Sequence, residues 1–163
     1  LSPDTLGAGM QVSEEEVKAY YEAHMALLGE TPALDLATPG WVIHTRSEER
    51  PAARLGAESH AERSLLCDGC QIDGAVINSV ISPGVQVAAA AVVRDSIVMT
   101  DTVIEAGAVV ERAIIDKNAR IGSNVIIRGR PGLPAQSTEI YSIVDGIVVV
   151  LKNAVVPDGT HIE

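Results

Sequence analysis

The segment SIVMTDTVIEAGAVVERAIIDKNARIG, residues 96–122, decides the fold because its apolar residues recur at an unusual interval. Steps of 6, 6, 5 and 6 residues separate the members of the series Val98, Ile104, Val110, Ile115 and Ile121. An α-helix would repeat its apolar residues every three or four positions, and a strand every two. A period near six is typical of a parallel β-helix, in which each turn of the chain has several short straight faces.

The same count extends in both directions from this segment, and it predicts about five to six turns. We expect one inward-facing aliphatic residue on each face. These sites are Leu55, Ala61, Leu66, Ile72, Ile77, Ile81, Val87, Val93, Val98, Ile104, Val110, Ile115, Ile121 and Ile127, and later Val150, Val156 and Ile162. A small or compact residue follows most sites after four positions, which lets the chain close a corner. The predicted fold class is therefore mainly β, a parallel β-helix with hexapeptide repeats.

The whole chain divides into three segments. Residues 1–12 show no clear period and read as a loose leader. Residues 13–54 comprise one amino-terminal α-helix, with a capping box of Ser13 and Glu16, and an extended connector. Residues 55–163 form the β-helix. Its repeat is interrupted at about 128–146, where proline and glycine indicate an ejected loop.

Composition and charge limit the kinds of partner. The chain has no Phe and one Trp among 163 residues, so its core must consist of small aliphatic side chains. A formal net charge of −10 disfavours nucleic acid as a partner, because phosphates would be repelled. No apolar stretch has the length that spans a bilayer, and no secretory signal opens the chain. We therefore expect a cytoplasmic protein without nucleic-acid or membrane partners.

The residues that usually carry chemistry give no catalytic or metal site. A β-helical acyltransferase would need a histidine base, and His60 and His161, the two nearest the coils, lack an obvious carboxylate partner in the sequence. Cys67 and Cys70 form a single CxxC pair, whereas structural zinc needs four ligands. No nucleotide-phosphate loop is present. We predict no catalytic residue, no metal site and no cofactor on this chain.

Several phrases resemble one known family. They are AYYEAHMALL, RSEERPAARLG, NSVISPGVQV, VVRDSIVMTDTVIEAGAVVERAIIDKNARIG and DGIVVVLKNAVVPDGTHI. Together they are similar to the carboxy-terminal region of glucose-1-phosphate adenylyltransferase. The resemblance implies a left-handed β-helix that helps to form the oligomer and to bind an allosteric effector. The family's whole enzyme makes ADP-glucose and pyrophosphate from ATP and glucose 1-phosphate, for glycogen or starch synthesis.

The resemblance also implies what this chain would need from elsewhere. The family's nucleotidyltransferase domain, with its glycine-rich loop and lysines, has no counterpart in these 163 residues. We therefore expect the chain to be inactive alone and to have that domain as a partner if it is a fragment. Mg²⁺ is expected only for the catalytic domain. A homo-oligomer is expected as well.

The family's effector site carries over to this sequence residue by residue. Lys152 falls on the lysine that binds phosphorylated activators, and Arg46 lies in a segment that supplies anion-binding residues. Arg50 is a weaker candidate, and Arg128 or Arg130 could replace a second lysine of the ejected loop. The expected effector is a phosphorylated sugar metabolite or phosphate. We hypothesise that the chain after Gly146 folds back along the solenoid, so that Arg46 and Lys152 meet at one anion.

Two other functions stay open from the sequence. One is an acyltransferase-type enzyme with hexapeptide repeats, and the other is a free-standing structural β-helix without a ligand. Arg46, Arg50 and Lys152 gathered around one cleft would favour the regulatory domain over the structural module.

Overall fold

The computed structural model describes residues 13–32, 34–36, 38–41 and 49–163. Within them the chain forms a parallel β-solenoid with three sheets as its faces, which confirms the predicted fold class. Face 1 comprises β1 Arg54–Leu55, β4 Gln71–Ile72, β7 Gln86–Val87, β10 Val103–Ile104, β13 Arg120–Ile121 and β18 Val155–Val156. Face 2 comprises β2 His60–Glu62, β5 Ala75–Ile77, β8 Val92–Arg94, β11 Val109–Glu111, β14 Ile126–Arg128 and β19 His161–Ile162.

Face 3 contains both parallel and antiparallel strands. Its parallel strands are β3 Leu65–Leu66, β6 Val80–Ile81, β9 Ile97–Val98, β12 Ala113–Ile115 and β17 Ile147–Val150. Two antiparallel strands, β16 Tyr141–Val144 and β15 Gln136–Ser137, extend this sheet beyond β17.

The predicted aliphatic series fills the interior from the second turn onward. Apart from Ile77, every predicted site from Ile72 to Ile162 is buried. The compact residues between them are buried as well, as Ala91, Ala108 and Val125 show with no exposed surface. Each turn therefore places small aliphatic side chains at equivalent inward positions. Burial of this continuous aliphatic column is the main source of stability.

The prediction for Ile77 is wrong, and Val76 faces inward instead. Val76 has no exposed surface and pairs in register with Val93, whereas Ile77 pairs with Arg94 on the outer side of face 2. The second turn has a shorter corner between β4 and β5. Gly74 makes this possible, because a Cβ there would lie 2.6 Å from the carbonyl oxygen of Ala88.

Leu55, Ala61 and Leu66 face inward as predicted, because they pair in register with the buried residues Ile72, Val76 and Ile81, but none of the three is fully buried. Leu55 is 52% exposed, Ala61 is exposed and Leu66 is only half-buried. All three lie on β1, β2 and β3, which are the outermost strands of their sheets. An inward-facing residue on the first turn has a neighbour on one side only, and so the six-residue period does not guarantee burial there.

The interruption at 128–146 is a structured segment that covers the opposite end of the solenoid. Leu133, Ile140 and Tyr141 from this segment pack against the core. Val156 and Ile162, on the last turn, belong to the same core and are 0% and 3% exposed.

The hypothesis that the chain folds back after Gly146 is wrong. The strand β17 pairs in parallel with β12, β18 with β13 and β19 with β14, so this part of the chain continues the solenoid.

The helix α1, Glu14–Met25, packs on the outside of face 3 and is followed by a 3₁₀ turn, Ala26–Leu28. Ser13 and Glu16 form the capping box that the sequence indicates. Tyr21 is 6% exposed and packs on Ile97, Ile114 and Ile147. Its hydroxyl donates a hydrogen bond of 2.6 Å to the carbonyl oxygen of Asp95. The helix is thus held by apolar burial and by one long-range hydrogen bond.

One residue near most corners of the solenoid has a positive φ. These residues form three columns along the axis. The columns are Gly69, Gly84, Asp101, Asn118 and Asn153 at the corner from face 3 to face 1; Ala90, Gly107, Asn124 and Gly159 from face 1 to face 2; and Arg63, Asn78, Asp95 and Arg112 from face 2 to face 3. Gly, Asn and Asp tolerate this conformation best, which explains most of these corner residues.

Candidate anion-binding corner

Lys117 and Lys152 occupy equivalent positions on successive turns, at the corner from face 3 to face 1. Ile115 pairs in register with Val150, and each lysine follows two residues later. The backbone N–H of Asn153 donates a hydrogen bond of 3.0 Å to the carbonyl oxygen of Lys117. Stacked strands are about 4.8 Å apart, so the two lysines leave neighbouring points of one edge. We call this pair the lysine corner.

The local sequence explains why both lysines point away from the core. The residue after each lysine is an asparagine with a φ of 56° at Asn118 and 60° at Asn153. These asparagines also hydrogen-bond each other, Asn118 Nδ2 to Asn153 Oδ1 at 3.3 Å. The tight turn leaves the lysine at its exposed tip. The pair is therefore fixed in backbone position while its side chains stay in solvent.

The lysine corner concentrates positive charge on an acidic protein. Within the part of the chain that the structure describes, neither Lys117 nor Lys152 forms an ion pair. Two neighbouring ammonium groups repel each other, and an oxyanion placed between them would remove that repulsion. The corner can therefore hold a phosphate or a carboxylate by charge and by hydrogen bonds.

Arg50 lies along the same corner, but its guanidinium is engaged with a carboxylate. Nη1 donates to Asp101 Oδ1 at 2.6 Å, and Nη2 donates to Asp101 Oδ2 at 3.0 Å. Asp101 lies one turn before Asn118, because Asn118 N–H bonds to the carbonyl oxygen of Thr100. The hydrogen bonds from Arg50 hold the pKa of the Asp101 carboxyl below its usual value. Arg50 is thus near the lysine corner along the axis, with Asp101 as its partner.

The other predicted effector residues lie elsewhere. Arg46 lies outside the described residues. Arg128 is on the outer side of face 2, where its Nε donates to Glu111 at 3.1 Å and its Nη1 to Glu163 at 3.4 Å. Arg130 is exposed and follows Gly129, which stacks on Arg112 at the corner from face 2 to face 3. Neither Arg128 nor Arg130 is on the edge that carries Lys152.

Sequence reasoning missed Lys117. The signal was present, since Lys117 follows the inward site Ile115 at the same offset at which Lys152 follows Val150. The long interruption between Ile127 and Val150 hides this register from a simple count, because the structure is needed to show which turn Val150 joins.

The cysteines and histidines form no centre in the described ranges. Cys67 is exposed and Cys70 is fully buried, and burial raises the pKa of the Cys70 thiol. No group of three or more potential metal ligands comes together among the described residues. His60 Nε2 lies 3.5 Å from Glu62 Oε2, with both side chains largely exposed. In the described part, no helix is long and apolar enough to cross a membrane.

The sequence is similar to those of known proteins. Residues 100–161 match the model of the GLGC left-handed parallel beta-helix domain. The chain is 52% identical over 147 residues, 90% of its length, to a glucose-1-phosphate adenylyltransferase of Thermomicrobium roseum. It is 37% identical over the same number of residues to the glucose-1-phosphate adenylyltransferase of Acetivibrio thermocellus. It is also 46% identical over 78 residues, 48% of the chain, to that of Streptomyces avermitilis.

The chain is therefore a β-helical protein of the left-handed parallel class that the GLGC domain describes. Over 90% of its length its sequence is similar to those of glucose-1-phosphate adenylyltransferases, in agreement with the resemblance seen in the sequence. It spans 34% of the length of the first two relatives.

Proposed function

We propose that this chain is the regulatory and oligomerisation domain of a glucose-1-phosphate adenylyltransferase, and that the lysine corner binds its anionic effector. The observation that carries the proposal is the stacking of Lys117 on Lys152, on a protein with a net charge of −10. A field that repels anions elsewhere makes two adjacent lysines unusual when neither has an ion-pair partner in the part of the chain that the structure describes. The effector is a phosphorylated sugar metabolite or phosphate itself.

Arg46 remains a proposed contributor to the same site. It precedes Arg50 by four residues, and Arg50 lies along this corner. The connector thus approaches the edge that carries the lysines. The sequence predicted that a fold-back of the carboxy-terminal segment would bring Lys152 to Arg46. In the structure that segment continues the solenoid, and the side chain of Arg50 lies along the corner instead.

A binding measurement tests the effector site. Isothermal titration calorimetry of the 163-residue chain with inorganic phosphate should show saturable binding. The affinity for phosphate should be weaker in Lys152→Gln and in Lys117→Gln. Arg63→Gln removes one positive charge from an exposed side chain at another corner and serves as the control. Equal losses in all three variants would mean that only the overall charge matters, and the proposed site would be wrong.

Oligomerisation is the second part of the proposal, and exposed apolar side chains support it. Leu55 and Val155 are 52% and 57% exposed, although both lie on strands of the solenoid. Sedimentation velocity should show an assembly larger than a monomer. A monomer at all concentrations would contradict this part without affecting the effector site.

The catalytic activity of the relatives is proposed only for an enzyme that includes a nucleotidyltransferase domain, with Mg²⁺ bound there. The 163 residues by themselves should release no pyrophosphate from ATP and glucose 1-phosphate. Measurable release by the purified chain would favour an enzyme over a regulatory domain.

A further inference from the structure

A cleft lies at the corner from face 2 to face 3 of the solenoid, away from the lysines. Its volume is about 430 Å³, within the range of small-molecule sites. Tyr21 and Met25 of α1 form one wall, and the corner residues Asn78, Asp95 and Arg112 form the other. We call it the Arg112 cleft.

Arg112 has an unusual backbone conformation. Its φ is +48°, in the same column as Asn78 at +46° and Asp95 at +48°. Asparagine and aspartate tolerate this region, whereas a long side chain with a full Cβ environment is disfavoured there. Strain of this kind is often kept at functional sites, but Arg63 shares the column with a φ of +45°, so it is the surroundings of the Arg112 guanidinium that distinguish this position.

The guanidinium of Arg112 lies against an aromatic ring and has no hydrogen-bond partner among the described residues. Its Cζ lies 5.4 Å from the centroid of the Tyr21 ring, in a cation–π contact. Its Nε is buried and donates to no described residue. A buried donor on a charged group costs stability when it is left unpaired. The position of this side chain is therefore fixed, while its capacity to donate hydrogen bonds is unused.

The nearby acidic groups are already engaged. Asp95 Oδ1 accepts a hydrogen bond of 2.6 Å from Asn78 Nδ2. Glu111 accepts hydrogen bonds from Arg94 at 3.4 Å and from Arg128 at 3.1 Å. Arg112 forms no ion pair in the described part of the chain. Among the described residues, Arg112 is therefore not paired with Asp95 or Glu111, the two carboxylates that line the cleft.

We propose that the Arg112 cleft binds a small oxyanion, a phosphate or carboxylate group, through the guanidinium of Arg112. The planar guanidinium can donate two parallel hydrogen bonds to either group. The Tyr21 ring fixes the guanidinium plane beforehand, which lowers the entropy lost on binding. This site is separate from the lysine corner and does not depend on the function proposed for it.

Nuclear magnetic resonance tests this proposal on the whole 163-residue chain. Inorganic phosphate is titrated while the Nε–H signal of Arg112 is followed, and acetate is titrated in parallel to separate phosphate from carboxylate selectivity. We expect a saturable shift at Arg112 with at least one of the two anions. The same shift should persist in Lys152→Gln, because that variant removes only the lysine corner. A shift that rises linearly without saturation for both anions would overturn the proposal.

Two substitutions separate binding from helix packing. Arg112→Gln should weaken the affinity measured at this cleft, through the Tyr21 ring signals, by about tenfold or more. Arg112→Lys retains the charge and the contact with Tyr21 but loses the planar fork, and it should also weaken binding. The Tyr21 ring signals show whether α1 stays docked in each variant. An unchanged affinity in Arg112→Lys with α1 in place would contradict the proposal even if Arg112→Gln failed to fold.

Discussion

Arg50 and Asp101 are 51 residues apart in the chain, yet their side chains form a two-bonded ion pair across the turns of the solenoid. To reach Asp101, Arg50 passes close to Gly69 and Gly84, the corner residues of two earlier turns. A Cβ at Gly69 would lie 3.1 Å from Arg50 Cδ, and one at Gly84 would collide with Nη1. The glycines thus allow the turn and also leave room for the arginine. This contact links the connector to the edge that carries the lysines.

The Arg50–Asp101 pair predicts a dependence of stability on pH. The pKa of Asp101 is lowered in the folded state by its hydrogen bonds to Arg50. A lowered carboxyl pKa contributes stability above the unfolded value, and this contribution is lost as the pH falls through the folded value. Asp101→Asn keeps a residue that tolerates positive φ and should cost less than about 1 kcal/mol at pH 7, because Asp101 is 45% exposed.

Urea unfolding of wild type and Asp101→Asn checks this prediction. The difference in unfolding free energy should narrow below the ordinary carboxyl pKa of 3.8. Asp68→Asn, an exposed change at the same corner, is the control. A difference in unfolding free energy between the two proteins that stays constant from pH 7 to acid conditions would show that the ion pair does not stabilise the fold.

Gly74 is predicted to be indispensable for the short second turn. A Cβ at this position would lie 2.6 Å from the carbonyl oxygen of Ala88 and would also clash with that of Ala91. Both obstacles are backbone atoms, so the turn itself would have to move. Gly74→Ala should reduce the unfolding free energy by about 1–3 kcal/mol. Gly29→Ala, with nothing within 4 Å of its Cβ, should change it by less than about 0.5 kcal/mol. Equal stability of the two variants would mean that the second turn is placed wrongly.

Substitution of Ala90 by glycine is expected to raise the unfolding free energy. It has a φ of +61° in the column that otherwise contains Gly107, Asn124 and Gly159. Ala90→Gly relieves this strain and should raise the unfolding free energy by about 0.5–1 kcal/mol. Ala89→Gly, at the exposed neighbour without a positive φ, should lower it by a similar amount. Chemical denaturation of both variants checks the sign, and a loss of stability in Ala90→Gly would contradict the assigned corner.

Most of the solenoid could be predicted from the sequence because its interior repeats. Sites such as Ile104 and Ile121 lie six residues from other buried aliphatic residues along the chain, and they have no exposed surface. The count failed at Ile77 because two residues are absent from one corner, and only three-dimensional pairing shows that Val76 takes its place. At Leu55 the count gives the inward orientation correctly, but the residue is exposed, because a period describes neighbours along the chain whereas burial requires a neighbouring turn on both sides.

The candidate site was less predictable, for a physical reason. Lys152 was found through resemblance, but its partner Lys117 is 35 residues earlier and becomes adjacent only when β17 joins β12. The interruption makes the separation between Lys117 and Lys152 longer than one ordinary turn, so no fixed spacing in the sequence reveals that they are adjacent. The cleft at Arg112 needed the position of α1, which the repeat does not specify.

The most direct test of the central claim is a double-mutant cycle on phosphate affinity with Lys117→Gln and Lys152→Gln. If both lysines hold one anion, their effects are coupled, and the double variant should differ from the sum of the single variants by at least about 0.5 kcal/mol. Isothermal titration with inorganic phosphate on the four proteins gives this coupling energy. A clear coupling is the result that this account predicts. Two losses that add without coupling, or no loss in either single variant, would contradict a shared anion site at the lysine corner.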